Sequence, residues 1–121
     1  MTLYMIELPV RDPHATAAWY GKVIGSVIRL VDDEHGFVLL TTPGSTVKLA
    51  LKQSEFLPDT QLLHFQVADL AAEVTRLAAL GIHPIDAGKT SAEGYTRVRC
   101  TDPDGRGVVL FEWTENNSRG A

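Results

Sequence analysis

The chain has 121 residues, a formal net charge of −4 and 45% apolar residues, values that favour one folded domain over disorder. A single cysteine excludes a disulfide framework and a thiolate zinc cluster within one chain. Because lysines and arginines form no run and no apolar stretch is long enough to span a bilayer, we expect a cytoplasmic protein that binds neither nucleic acid nor membranes.

The first half of the chain predicts a strand, a helix and three further strands. Residues 4–10 alternate as a strand does, and residues 46–51 do so again at the end of this half. Between them, Asp12 and Pro13 are typical of a helix start, and Gly25 is typical of a helix end. The predicted apolar stripe of this helix consists of Ala15, Trp19 and Val23.

The second half repeats this order about 60 residues further along the chain. Residues 62–67 predict a strand, and Asp69 and Gly81 then mark the start and the end of a helix. Residues 102–105 predict a turn, and residues 107–113 the last strand. The sequence therefore predicts an α+β fold in which two βαβββ modules form a curved mixed sheet around a cavity.

These patterns also predict the domain organisation. We expect a single domain over residues 1–114, with one module at about 3–52 and the other at about 61–114. Residues 115–121 are polar and predict a flexible C-terminal tail.

Alternation assigns the side chains of each predicted strand to two faces. One face is apolar throughout and is expected to pack under the helices. The other face mixes charged, amide and apolar groups, and it includes Met5, Leu62, Val109 and Phe111. Since these four side chains are unsuited to open water, we expect this face to line a ligand cavity, although a solvated sheet face is the plain alternative.

Several segments together carry a resemblance to a known family: residues 10–13, 17–20 and 25 in the first half, and 64–70, 77–82, 102–106 and 108–112 in the second. They resemble the vicinal-oxygen-chelate superfamily, which includes glyoxalase I, extradiol dioxygenases and the fosfomycin- and bleomycin-resistance proteins. The resemblance covers nearly the whole chain, and it implies the fold of paired βαβββ modules. It does not select one activity, because this fold supports many chemistries.

The resemblance also implies where a metal would bind. Metal-dependent members place histidine, glutamine or glutamate at one position on each of four strands. These positions correspond here to Met5, to Ala50 (or Leu49 if the register shifts by one), to Leu62 and to Val109. None of these side chains binds a hard divalent metal, so the resemblance implies a site without a metal or another cofactor.

Glu7 and His64 occupy equivalent positions in the two modules, on the face assigned to the cavity. They could act as a general acid–base pair, as two displaced metal ligands, or as a buried hydrogen-bonded pair in the cavity wall. Glu112 has the opposite parity and is not a candidate without a bulge in its strand.

Arg97 and Arg99 alternate with apolar residues in their strand. If they point inward they would attract an anionic ligand group, since the guanidinium fork suits a carboxylate or a phosphate. If they point outward they line a wet edge of the sheet.

We therefore predict a metal-independent small-molecule-binding protein, similar to the bleomycin-resistance branch, that holds a partly apolar organic ligand and forms a homodimer. The predicted ligand-binding residues are Met5, Glu7, Lys48, Ala50, Leu62, His64, Gln66, Arg97, Val109 and Phe111. One alternative is an enzyme of the superfamily, a lyase, isomerase, epimerase or dioxygenase-like protein, that uses Glu7 and His64. The other is a dimeric domain with a vestigial cavity.

Overall fold

The computed structural model describes residues 1–57, 61–85, 89–90 and 94–114. The chain divides into two compact units, Met1–Asp59 with Asp102–Asp104, and Thr60–Thr101 with Gly105–Ala121. The predicted tail at 115–121 lies outside the described residues.

The first unit contains the first predicted module. Its elements are β1 (Met5–Val10), α1 (Pro13–Ile24), β2 (Val27–Asp32), a 3₁₀ turn (Asp33–His35), β3 (Phe37–Thr41) and β4 (Lys48–Gln53). The strands form one sheet in the order β1-β4-β3-β2, in which β1 and β4 are parallel and the other pairs antiparallel. Helix α1 packs on β3 and β4.

The second unit has the same architecture. Its elements are β5 (Leu62–Gln66), α2 (Leu70–Ala79), β6 (Lys89–Thr90), β7 (Tyr95–Thr101) and β8 (Gly107–Trp113). The sheet order is β5-β8-β7-β6, again with one parallel pair, β5 and β8. The predicted α+β class and the duplicated βαβββ modules are therefore confirmed. Within the described residues, neither helix is long and apolar enough to span a bilayer.

Helix α1 begins and ends where the sequence predicts. The side chain of Asp12 accepts hydrogen bonds from the backbone N–H groups of His14 and Ala15 at 3.1 and 3.3 Å, and Pro13 follows as the first helical residue. Gly25 ends the helix with φ 73°, a left-handed conformation that glycine adopts without steric cost. Helix α2 starts in the same way, since Asp69 accepts from the backbone N–H of the residue three further on.

The predicted apolar stripe of α1 is partly wrong. Val23 is buried as expected, but Ala15 is exposed and Trp19 is only half-buried. Thr16 and Tyr20 are buried instead. Hydrogen bonding explains the difference, because each of these two side chains donates its hydroxyl to a carboxylate of Asp102–Asp104.

The segment Asp102–Asp104 belongs to the first unit, and it fixes the start of α1 there. Oδ2 of Asp102 accepts from the hydroxyl of Tyr20 at 2.8 Å, and both groups are buried. The two carboxylate oxygens of Asp104 accept from the backbone N–H of Arg11 and from the hydroxyl of Thr16, each at 2.8 Å. The predicted turn therefore has a structural role, since its carboxylates satisfy donors at and near the helix start.

Replacing Tyr20 with phenylalanine should lower the free energy of unfolding by about 1–2 kcal/mol, because the buried carboxylate of Asp102 loses a donor. Urea unfolding followed by circular dichroism measures the change. Tyr4→Phe is the matched control, since Tyr4 is exposed and its hydroxyl makes no described hydrogen bond. Equal stabilities of the two variants would contradict the assignment.

Candidate functional site

The sheet of the second unit has one face toward α2 and one face away from it. Oε1 of Glu112 accepts from the backbone N–H of Leu70, the first residue of α2, at 2.7 Å. Val108 and Leu110 share the parity of Glu112 and are buried. Glu112 therefore stabilises the helix start from the face to which its parity assigned it, and odd-numbered residues of β8 lie on the opposite face.

We call that opposite surface the α2-distal face. The pairings of β5 and β7 with β8 define its membership, since residues paired across a sheet share a face. Its residues are Leu62, His64 and Gln66 of β5, Gly107, Val109, Phe111 and Trp113 of β8, and Tyr95, Arg97, Arg99 and Thr101 of β7. Six of the predicted ligand-binding residues, Arg97 among them, thus lie together, and Arg99 lies with them.

Aromatic rings cluster on the α2-distal face. The ring centroid of Phe111 lies 5.3 Å from that of Tyr95, 5.4 Å from that of Trp113 and 6.4 Å from that of His64. The rings of Tyr95 and Trp113 are themselves 5.6 Å apart. Sequence reasoning missed Tyr95 and Trp113, although Trp113 has the parity of Phe111, and Tyr95 that of Arg97.

The guanidinium of Arg99 packs against the backbone of Gly107, which has no side chain. A Cβ at Gly107 would overlap the side chain of Leu62 and come within 3.0 Å of Nε and Nη2 of Arg99. Glycine at this position therefore makes the room that Arg99 occupies. Nε of Arg99 is buried and has no hydrogen-bond partner among the residues that the structure describes, and the same holds for Nε1 of Trp113.

The described strands place positive but no negative side chains on the α2-distal face. Arg97 and Arg99 are half-buried, and among the described residues no carboxylate forms an ion pair with either of them. The described strands place no aspartate or glutamate on this face, because Glu112 points toward α2. Two half-buried guanidinium groups of like charge on one face repel each other, so this face favours an anionic group between them.

The remaining predicted ligand-binding residues lie in the first unit. Met5 pairs with Lys48, and Glu7 pairs with Ala50, so these four share the face opposite the buried leucines of β4. We call this surface the α1-distal face. Ala50 is buried, Met5 and Glu7 are exposed, and Nζ of Lys48 lies 4.3 Å from the ring centroid of Tyr4.

Glu7 belongs to the first unit and His64 to the second. The three roles considered for this pair stay predictions. No hydrogen bond involving the imidazole of His64 is found within the described residues, and its described ring contact is with Phe111.

The pairings also decide the register of the family's metal positions. Leu49 pairs with Ile6 and therefore lies on the face opposite Met5, whereas Ala50 lies on the same face as Met5. Met5, Ala50, Leu62 and Val109 offer only one donor atom, a thioether. The residues present do not fit a hard divalent metal.

Among the described residues, one group of three potential metal ligands is compact, Asp32 with Glu34 and His35. It belongs to the β2–β3 connection, which the sequence predicts as a hairpin turn. Asp32 accepts from the backbone N–H of His35 at 3.2 Å and contacts its Nδ1 at 2.9 Å, so it caps the turn. The hydrogen bond from His35 also lowers the pKa of Asp32.

An open cleft of about 730 Å³ adjoins this turn. Its lining carries charges of both signs, with Arg11 and Lys52 against Asp33 and Glu55. Nζ of Lys52 donates to the backbone carbonyl of His35 at 2.5 Å, which ties the lysine to the turn. This cleft lacks the apolar walls typical of a site for organic ligands.

The single cysteine is not positioned for chemistry on the α2-distal face. Cys100 pairs with Val108 and so lies on the face toward α2, where it is 2% exposed. Burial raises the pKa of its thiol, which disfavours the reactive thiolate.

Comparison with known proteins identifies the class. A family profile described as "Glyoxalase-like domain" matches residues 5–111. The chain therefore belongs to the glyoxalase-like domain family, and the vicinal-oxygen-chelate resemblance is confirmed. No functionally curated protein resembles the chain closely enough in sequence to count as a match.

Solved structures agree on the fold. TnmS3, "an antibiotic binding protein from Streptomyces sp. CB03234", superposes with a TM-score of 0.80 at 20% identity, covering 94% of this chain and 97% of that one. A "member of Glyoxalase/bleomycin resistance protein/dioxygenase superfamily from Sphaerobacter thermophilus DSM 20745" gives 0.76 at 18% identity, covering 93% and 97%. A "glyoxalase/ bleomycin resistance protein/ dioxygenase from Nocardioides" gives 0.74 at 20% identity, covering 95% and 85%. At these identities the likeness establishes the fold alone.

The β2–β3 turn yields a pH prediction. Nε2 of His14 lies 2.5 Å from Oδ1 of Asp33, and this hydrogen bond and the negative charge raise the pKa of His14. Because the folded-state pKa is raised, the interaction stabilises the fold below the ordinary histidine pKa and is lost as pH rises through the raised value. An NMR titration of the His14 imidazole should find that Asp33→Asn lowers its pKa, while the neighbouring control Glu34→Gln does not. An unchanged pKa in Asp33→Asn would refute the interaction.

Proposed function

We propose that this protein binds a small, partly apolar organic ligand without a metal, through the α2-distal face. The observation that carries the proposal is the combination of an aromatic cluster around Phe111 with two buried N–H donors that have no acceptor. Such donors are costly to leave unpaired, and a ligand acceptor removes the cost. Met5, Glu7, Lys48 and Ala50 on the α1-distal face remain predicted ligand contacts.

Apolar burial supplies the affinity in this proposal. On the α2-distal face the side chain of Phe111 is half-buried and that of Leu62 is exposed, so both offer apolar area that a ligand can cover. A ligand covering this surface gains about 25 cal/mol per Å² of apolar area removed from water, before the costs of association. Polar groups such as His64 and Gln66 then orient the ligand.

Two comparisons support this choice. Membership of the glyoxalase-like domain family places the chain on a fold with bleomycin-resistance relatives. TnmS3, which shares the fold, is described as an antibiotic-binding protein. A chelating function has no comparable support, because the four positions that correspond to the family's metal ligands carry apolar side chains.

A thermal-shift screen tests the proposed function. Some members of a panel of partly apolar organic compounds should raise the melting temperature by several degrees, as ligands that bind only the folded state do. Phe111→Ala should abolish this ligand-induced shift, while Phe56→Ala should retain it, because Phe56 is 78% exposed and lies in the other unit. EDTA should change neither result.

Three results, from the screen, from metal analysis and from an assay for conversion of a bound compound, would change the proposed function. A flat response to the whole panel would contradict the proposal and favour the vestigial cavity. Stoichiometric divalent metal in the purified protein would contradict the metal-free site. Conversion of a bound compound that is lost in Glu7→Gln and His64→Asn would instead support the enzyme.

We also propose that the chain forms a homodimer through strand β2. Among the described strands, β2 pairs only with β3, and Val27, Ile28, Leu30 and Val31 are exposed along it, on both of its faces. An exposed apolar edge strand is a template for pairing with another chain, and a twofold axis makes it complementary to itself. If two copies of β2 pair antiparallel about a point between Leu30 and Val31, Arg29 of each copy lies beside Asp32 of the other, which has the opposite charge.

Sedimentation equilibrium tests the homodimer. The wild-type chain should sediment at twice its 13.2 kDa mass, and Leu30→Lys should sediment as a monomer, because it places a charge in the apolar interface. Leu80→Lys should remain dimeric, since Leu80 is equally exposed but lies at the end of α2 in the other unit. A monomeric wild-type chain would overturn the proposal.

A further inference from the structure

The α2-distal face indicates more than a site for some organic ligand, because its two buried polar atoms without a described partner are both hydrogen-bond donors. Nε of Arg99 and Nε1 of Trp113 are both donors, both are buried, and within the described part of the chain neither has an acceptor. Neither side chain can accept a hydrogen bond. A ligand that satisfies them must therefore present acceptor atoms at two places.

The charge of the face narrows the choice of the first acceptor. Arg99 and Arg97 alternate on β7 and point to the same face, where the described strands supply no carboxylate. A guanidinium makes its strongest hydrogen bonds with an anionic oxygen, in the two-pronged geometry of a carboxylate. Gly107 keeps the space over its backbone open for the guanidinium of Arg99, which holds this cation at one end of the face.

The distance between the two donors along β8 limits the shape of the ligand. Arg99 pairs with Val109, and Trp113 lies four residues further along the strand, about 13 Å at the usual strand rise. Phe111 lies between them, and its ring packs against those of Tyr95 and Trp113. The surface between the two donors is therefore aromatic, and flat rings pack on it in offset or edge-on contact.

We propose that the ligand is an elongated aromatic anion. Its carboxylate, or an equivalent anionic oxygen group, binds Arg99 with Arg97, its rings lie against Phe111 and Tyr95, and an oxygen at its far end accepts from the indole N–H of Trp113. This inference rests on the proposed function and adds the chemical class of the ligand.

A pair of matched probes tests the class. 4′-Hydroxybiphenyl-4-carboxylate has an anionic group at one end, two rings and an oxygen at the far end, whereas 4′-hydroxybiphenyl-4-carboxamide differs only in lacking the charge. Isothermal titration calorimetry should find that the wild-type protein binds the carboxylate about tenfold or more tightly than the amide, as expected for charge-assisted hydrogen bonds.

Three variants locate the effect. Arg99→Gln should reduce the preference for the carboxylate to less than about threefold, while the affinity for the amide changes little. Trp113→Phe keeps the ring but removes the donor, so it should weaken both probes by a similar factor. Arg11→Gln makes the same change at an exposed residue of the first unit and should leave the preference intact.

The outcomes separate this inference from the proposed function. Equal binding of the two probes, or a preference that survives Arg99→Gln, would overturn the anionic class while leaving a small-molecule binder in place. Binding of neither probe would also overturn the class, and if the thermal-shift panel is active the proposed function still stands. A flat panel together with no probe binding would overturn both.

Discussion

The alternation of side chains along a β-strand is the constraint on which the rest of this structure depends. Each sheet has one helix, so one face can be covered by a helix and the other must find a different partner. In β8, Val108 and Leu110 fill the space under α2, and Glu112 satisfies the start of that helix. Val109 and Phe111 are thereby turned to the other face together, whatever their individual preferences.

The composition of that second face favours a binding surface over a solvated one. It combines aromatic rings, a buried valine and two half-buried arginines, and the described strands add no acidic residue to it. The same face carries Leu62 and Val109, which correspond to metal-ligand positions of related proteins. Neither side chain is a ligand for a hard divalent metal, and the exposed Leu62 adds apolar area to the face that we propose for the ligand.

Much of this arrangement could be predicted from the sequence, because strand periodicity and helix caps are local signals. Asp12 and Gly25 marked the ends of α1, and parity placed the predicted ligand-binding residues of each unit on one face. What could not be predicted depends on contacts distant in sequence. Tyr20, and not Ala15, lies on the buried side of α1, because its hydroxyl binds a carboxylate 82 residues away that no local pattern indicates. The aromatic cluster likewise forms only when β7 and β8 pair.

The proposed function depends on a ligand binding the face of β8 that points away from α2. NMR of the methyl-labelled protein, titrated with 4′-hydroxybiphenyl-4-carboxylate, tests it most directly, because neighbouring residues of one strand report on opposite faces. The account predicts that the methyl signals of Val109 and Leu62 and the indole N–H signal of Trp113 shift, while those of Val108 and Leu110 stay in place. Shifts that follow Val108 and Leu110, or that leave Val109 unmoved while the probe binds, would contradict it.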